Sequence, residues 1–289
     1  MSSSIPEKAI AGGGDVSGEV EIREVWADNL EEEFAVIRSI VEDYPFVAMD
    51  TEFPGVAIRP LDVYKTMADL NYHTVRANVD LLHLIQIGFA FSTSSGELPC
   101  SPSSGRPCIW QFNFREFDPD ADVSAPDSLD LLIKSGLDFA KNRERGVDAL
   151  RFAELLMSSG VVLNNDVVWV TFHSAYDFGY LLKVLTCRKL PDTSDGFFEL
   201  MRVFFPNVYD IKHLTKFCSD ALFGGLSYIA EILGVERVGI SHQAGSDSLV
   251  TLECFWKVVE RYLKDSVEKY EGVLYGLGDE YSQLVQRKS

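Results

Sequence analysis

In the stretch VAMDTEF, residues 47–53, two carboxylates close an otherwise apolar run: Asp50 and Glu52. In a strand, alternate side chains share a face, so Asp50 and Glu52 project side by side on the face that carries Phe46 and Ala48. At a separation of about 7 Å and an effective dielectric of roughly 20, their repulsion is about 2 kcal/mol before any desolvation. A strand end open to solvent tolerates such a pair, and a cation bound between them removes the repulsion. Two other places hold acidic or imidazole groups that packing does not ask for: Asp177 in HSAYDFGYLL, and His242 with Asp247 in SHQAGSDSLV. Each also has a plain structural reading. Ser174-x-x-Asp177 ahead of an apolar run has the form of a helix capping box, and Asp247 is a natural N-cap with His242 in the preceding turn. The chemical reading is metal binding. Carboxylates are hard oxygen donors suited to Mg²⁺ or Mn²⁺, and two such ions about 3.5–4 Å apart can hold both the attacking and the leaving oxygen of a phosphoryl displacement. Histidine, which titrates near neutral pH, is the residue type to take a proton beside them.

These groups need a scaffold, and the hydrophobic pattern supplies one. DNLEEEFAVIRSIVEDYP carries Leu30, Phe34, Ile37, Ile40 and Val41 at helical spacing, with Asp28 and Glu31 as a capping box and Pro45 as the stop. That helix feeds the strand ending in Asp50 and Glu52. LLHLIQIGFAFS and CIWQFNFREF read as two further strands, joined by the turn-rich TSSGELPCSPSSGRP. Residues 128–159 are helical and charged, VVWVTFHS is a fourth strand, and AYDFGYLLKVL is the helix after it. Residues 191–223 read as short helices and turns. LSYIAEILG is a short helix, and SLVTLECFWKVVERYLK places Leu249, Leu252, Trp256, Val259 and Leu263 on one stripe. The pattern predicts a mixed α/β domain without internal repeats.

Composition bounds the function. The 289 residues are 46% hydrophobic, enough for one large core, and the formal charge of −18 argues against a general electrostatic grip on nucleic acid. Any nucleic-acid site is then local or uses bound cations. Five cysteines without a C-x-x-C pair fit reduced thiols. The start of the sequence has neither a basic segment nor an apolar h-region, and no stretch offers 18 uninterrupted apolar residues, so no membrane association is expected. The expected location is cytoplasmic or nuclear.

In order and type, the strand D-x-E, the helix-start Asp of YDFGYL and the H-x-x-x-x-D resemble the three motifs of the DEDD superfamily of 3′–5′ exonucleases, in the variant with a motif-three histidine. MDTEFPGV, NVDLLHLIQIG, CIWQFNFREF, FHSAYDFGYLL and SHQAGSDSLVTLECFWK are similar to the Pop/Caf-type poly(A) deadenylases, nuclease subunits carried by Not scaffold complexes. The likeness spans roughly residues 22–270. Ala175 stands where a Gly is common, and the loop Thr93–Pro107 is individual.

The resemblance implies a ribonuclease H-like exonuclease fold, a mixed central sheet flanked by helices. It implies two divalent metal ions, Mg²⁺ before Mn²⁺, with Asp50 on both and Glu52, Asp177 and Asp247 completing the shells. His242 would be the general base, and the products 5′-AMP and a shortened RNA. Phe53 either packs in the core or, if the strand ends before it, turns to stack on the terminal nucleotide. The implied partners are a single-stranded poly(A) 3′ end, a Not-type scaffold and a second deadenylase. Rival readings are a DEDD exonuclease acting on other RNA or DNA ends, and a catalytically weak adaptor. Expected boundaries are a disordered tail over residues 1–20, one nuclease domain over 21–270 and a polar tail over 271–289.

Overall fold

The computed structural model describes residues 20–218, 222–264 and 266–278. In chain order the first elements are β1 (Glu21–Val25), α1 (Leu30–Ile40), β2 (Phe46–Glu52), α2 (Met67–Leu81), β3 (Gln86–Ser92) and β4 (Cys108–Asn113). Next come α3 (Pro126–Lys134), α4 (Phe139–Arg145), α5 (Ala149–Met157), β5 (Val168–Thr171) and α6 (Ala175–Thr186). The last part holds α7 (Ser194–Phe204), β6 (Asn207–Asp210), α8 (Ile211–Leu214), α9 (Leu226–Leu233) and α10 (Ala244–Val258).

The six strands form one sheet in the order β1-β4-β3-β2-β5-β6. Strands β2, β3 and β4 pair antiparallel, while β1 joins β4, and β5 joins β2 and β6, in parallel. The four strands expected from the pattern are present. The two that pattern reading missed, β1 and β6, are the sheet's edges. EIREV is mostly charged, because its side chains are paired along the sheet's edge: Arg23 pairs with the buried Glu33 at 2.7 Å and donates to Ser101 of the 93–107 loop. NVYD has only four residues, too few for a period to show.

Alternation along β2 divides the core in two. Val47 and Met49 face a layer with Phe89, Phe112 and Trp169 under α1, α2, α5, α6 and α7. Phe46 and Ala48 face the opposite layer, with Ala90, Val168 and Val170 under α8, α9 and α10. The expected stripe of α10 is seated here, with Leu249 and Leu252 buried, each burial contributing about 1.5–3 kcal/mol. β2 therefore carries the two halves of the site on its two faces: Asp50 and Glu52 continue the α10 side, Thr51 the α6 side.

Two expectations are corrected by the fold. The capping box of Asp28 and Glu31 does not form, since α1 begins after Asn29, whose side chain accepts the Trp26 N–H instead, while Asp28 pairs with Arg145. The boundary at residue 270 falls inside the packed structure. Leu274 and Leu277 are each 1% exposed in the core, and Asn71 donates to the Gly276 carbonyl at 2.7 Å. Residues 1–19 and 279–289, which hold most of the expected tails, lie outside the described residues. Among the described residues no helix is long and apolar enough to cross a membrane, and no two cysteines are joined.

Candidate active site

Four carboxylates, Asp50, Glu52, Asp177 and Asp247, meet around the C-terminal end of β2. Thr51, pointing to the opposite face from its neighbours, donates its hydroxyl to Asp177 Oδ1 at 2.7 Å and so ties α6 to the strand end. The capping-box reading of Ser174-x-x-Asp177 fails here. Ser174 is the N-cap of α6 but makes no side-chain cap bond, and its hydroxyl accepts from Thr171 at 2.7 Å. The turn into α6 is instead held by Asp210 at the end of β6. Its carboxylate accepts the backbone N–H groups of His173, Ser174, Lys212 and Tyr275 at 2.8–3.4 Å. His173 takes a left-handed backbone, φ 59°, which that anchor sustains.

From the other face comes α10. It opens at Ala244 after Gln243, so Asp247 lies within the first turn and is not the N-cap that its sequence position suggested. Its carboxylate reaches back and accepts the His242 N–H at 2.9 Å, and Arg237 donates to the other oxygen. His242 has φ 63°, and that reversal turns the chain onto the helix. Gly88, opposite Asp50 in the β2–β3 register, makes the approach possible: a Cβ there would lie 1.9 Å from the Ala244 carbonyl oxygen. As a result Glu52, His242 and Asp247 each offer a ligand atom within 4.8 Å of the others.

The electrostatics are those of unneutralised charge. Desolvation first, then the charges of Asp177, Asp247 and Glu52, hold the Asp50 carboxyl well above its ordinary value. Glu52 is pushed up to about 8 by desolvation, Asp247 and Asp177. Burial raises Asp177 to about 6, against the lowering effect of the Thr51 bond. Arg237 is the cation whose charge opposes the shift at Asp50, and one guanidinium does not offset four carboxylates. Such an all-oxygen acidic set, with an imidazole at its edge, fits hard divalent cations.

The structure thus brings together Asp50, Glu52, Asp177, His242 and Asp247. Phe53, next in sequence to Glu52, turns its ring to the α6 side. Strand β2 does end at Glu52, but the Phe53 ring lies against Tyr176 at 5.0 Å, nearly parallel, and against Tyr180 at 5.1 Å, partly buried on the α6 core. Sequence reasoning missed Thr51, Arg237 and Asp210. Only Asp210 left a signal, an acid closing the apolar run of VYD much as Asp50 closes its own.

Comparison with known proteins gives the family. A family model described as CAF1 family ribonuclease matches residues 25–159. The probable CCR4-associated factor 1 homolog 7 of Arabidopsis thaliana is 60% identical over 266 residues, 92% of this chain and 96% of its own length. The poly(A) ribonuclease pop2 of Schizosaccharomyces pombe is 44% identical over 290 residues, 100% of this chain and 84% of its own length. The Pop2p structure from that organism, a Mg²⁺- and Mn²⁺-bound form, is similar with a TM-score of 0.82 and 46% identity, over 89% of this chain and 99% of its own. Yeast CAF1, co-crystallized with the NOT1 MIF4G domain, is similar with a TM-score of 0.74 and 33% identity, over 92% of this chain and 100% of its own.

Proposed function

The chain belongs to the CAF1 family of ribonucleases, and we propose that it is a metal-dependent 3′–5′ exoribonuclease that shortens poly(A) tails and releases 5′-AMP. The fold is ribonuclease H-like. The observation that carries the reading is the convergence of Asp177 from α6 and Asp247 from α10 on Asp50 and Glu52, from opposite faces of one strand end.

Asp50, Glu52, Asp177 and Asp247 would hold two divalent ions, Mg²⁺ or Mn²⁺, the ions of the fission yeast structure. When bound, such ions supply positive charge to the attacking and leaving oxygens of an in-line displacement. The chain's own residues do the rest. Thr51 orients Asp177, Arg237 and the His242 N–H orient Asp247, and the His242 ring, exposed beside Glu52 and Asp247, takes the proton of the attacking water. The contacts of the Phe53 ring with Tyr176 and Tyr180 support core packing over stacking on substrate.

A chain of charge −18 gains little affinity from phosphate contacts. A Not-type scaffold and a second deadenylase on it would supply the missing grip on poly(A). The NOT1-bound yeast relative supports the scaffold half of that assembly. Five cysteines without a C-x-x-C pair support a reducing compartment, cytoplasm or nucleus.

The test is a 5′-labelled RNA ending in adenosines, incubated with Mg²⁺, without it, and with a chelator. Stepwise shortening from the 3′ end with release of 5′-AMP, dependent on metal, is expected. Equal trimming of ribose and 2′-deoxyribose ends would favour a general DEDD exonuclease, because the 2′-OH distinguishes the two substrates. No shortening at any metal concentration would favour the adaptor.

A further inference from the structure

We propose that Glu24, on the edge strand β1, is a positioning residue: its carboxylate fixes the polarity of a side-chain amide network that holds the start of α10, and so sets where His242 and Asp247 stand. This rests on the nuclease reading above and adds a residue that lies outside its five-membered site.

The helix start lacks an ordinary cap. Gln243 makes no side-chain cap bond, yet the first backbone N–H groups of a helix need acceptors. Two buried glutamines from the sheet supply them. Gln86 Oε1 accepts the Ala244 N–H at 3.3 Å, and Gln111 Oε1 accepts the Gly245 N–H at 2.8 Å. Both glutamines also donate from Nε2 to the Gln243 side-chain oxygen, at 3.1 and 2.9 Å, and Gln243 in turn donates to the Ser135 carbonyl at 2.8 Å.

An amide has a donor end and an acceptor end, so such a network works in one orientation only. A carboxylate can only accept, and Glu24 accepts twice: from Gln111 Nε2 at 2.9 Å and from Asn113 Nδ2 at 2.7 Å. The first bond turns Gln111 Oε1 toward Gly245. The second turns Asn113 Oδ1 toward Gln86 Nε2, at 2.7 Å, which leaves Gln86 Oε1 for Ala244. Gln86, Gln111 and Asn113 are only 2–3% exposed, so water does not readily replace a partner lost among them, whereas Glu24 itself is exposed at the sheet's edge. Four elements are joined this way, β1, β3, β4 and α10, and Asp247 is in the first turn of the last.

Glu24→Gln keeps size and shape but presents one N–H₂ group where two amide donors now point. Gln111 or Asn113 must flip, and an N–H of α10 then meets a donor. The altered helix start misplaces Asp247 and His242. Removing an outer hydrogen-bond partner of a metal ligand costs roughly 10–100-fold in metal affinity, and a shift of this kind belongs in that range.

The experiment measures Mn²⁺ binding calorimetrically on the full chain without RNA, together with the half-saturating Mg²⁺ for trimming, in the parent, in Glu24→Gln and in Glu24→Gln/Gln111→Glu. In the double variant the carboxylate placed at position 111 can accept both from the new amide at position 24 and from the Gly245 N–H, at the cost of the donation to Gln243 Oε1, which keeps its donor from Gln86. Glu24→Gln is expected to bind Mn²⁺ about tenfold more weakly and need correspondingly more Mg²⁺. Part of the loss should return in the double variant, because the Gly245 acceptor is restored while the bond to Gln243 is not. Parental Mn²⁺ affinity in Glu24→Gln, beside an active parent, overturns this inference and leaves the nuclease reading intact. So does a loss that accompanies a lowered melting temperature and is not recovered in the double variant. A parent that neither binds Mn²⁺ nor trims RNA overturns both.

Discussion

Thr51 and Asp177 are joined by a hydrogen bond, Oγ1 to Oδ1 at 2.7 Å, across the seam between the C-terminal end of β2 and the first turn of α6. Both are buried, at 5% and 7% exposure, so the bond is made away from bulk water. It lowers the proton affinity of Asp177 against the raising effect of burial. Thr51→Val, close to isosteric, removes the donor and should move Asp177 further toward the protonated form. Trimming at pH 7 should fall and recover partly at pH 8 or with more Mg²⁺, and stability should drop by about 1–3 kcal/mol in denaturant titrations. A variant with parental activity at both pH values would mean that the bond orients nothing of consequence.

Metal-free protein should lose stability as pH rises. Folding raises the proton affinities of Asp50, Glu52 and Asp177, so between the ordinary carboxylate range and about pH 8 the native chain holds more protons than the unfolded one. Stability therefore falls with rising pH through that window, and the portion belonging to Glu52 is gone above about pH 8. Glu52→Gln should flatten the decline in melting temperature between pH 6 and 8 in chelator. Asp50→Asn should melt at or above the parent at pH 8 and no longer trim RNA. Added Mg²⁺ should raise the parent's melting temperature and leave that of Asp50→Asn nearly unchanged. Identical pH profiles for parent and Glu52→Gln would show that neither burial nor its acidic neighbours raise the proton affinity of Glu52.

The readable part of this molecule was the part written in local pattern. D-x-E at the end of an apolar run, the stripe of Leu249, Leu252 and Val259, and the strand after Pro107 all depend on neighbours in sequence, and each is where the pattern puts it. What the sequence could not show depends on tertiary partners. Ser174 and Asp177 have capping-box spacing, but Thr51 and Thr171, distant or unreadable as partners, take their side chains elsewhere. Asp247 resembles an N-cap because nothing in SHQAGSD reveals that Gln86 and Gln111 hold the helix open one turn earlier. GLGDE reads as a polar tail, although Leu277 within it and Leu274 before it are buried in the core, next to the bond from Asn71 of α2 to the Gly276 carbonyl.

Gly88 is where a single methyl group should disturb the site without touching a carboxylate. The built Cβ would stand 1.9 Å from the Ala244 carbonyl oxygen and 2.6 Å from the Gly245 nitrogen, both backbone atoms that cannot rotate away. α10 must then lift from β3. Gly88→Ala should cost about 1–3 kcal/mol of stability and, by carrying Asp247 away from Asp50, raise the half-saturating Mg²⁺. A variant that is destabilised but keeps parental metal dependence would show that helix and strand separate elsewhere.

The last question is which role each motif-three residue plays. Asp247 is fixed on both oxygens, by Arg237 and by the His242 N–H, whereas the His242 side chain is exposed and its ring is free to approach substrate. Yet the His242 ring also lies close enough to Glu52 and Asp247 to share a cation with them. The two roles separate in a metal titration. If His242 is the base, His242→Ala slows the chemical step by roughly 10²–10⁴-fold at an unchanged half-saturating Mg²⁺, and activity recovers partly at higher pH as hydroxide replaces the missing base. If Asp247 is a ligand, Asp247→Asn raises the half-saturating Mg²⁺, and excess Mn²⁺ restores some turnover. A raised metal requirement in His242→Ala would make the imidazole a ligand in its own right. Unchanged trimming in both variants would reduce SHQAGSD to a turn at the head of a helix and move the catalytic centre to the carboxylates of β2 and α6 alone.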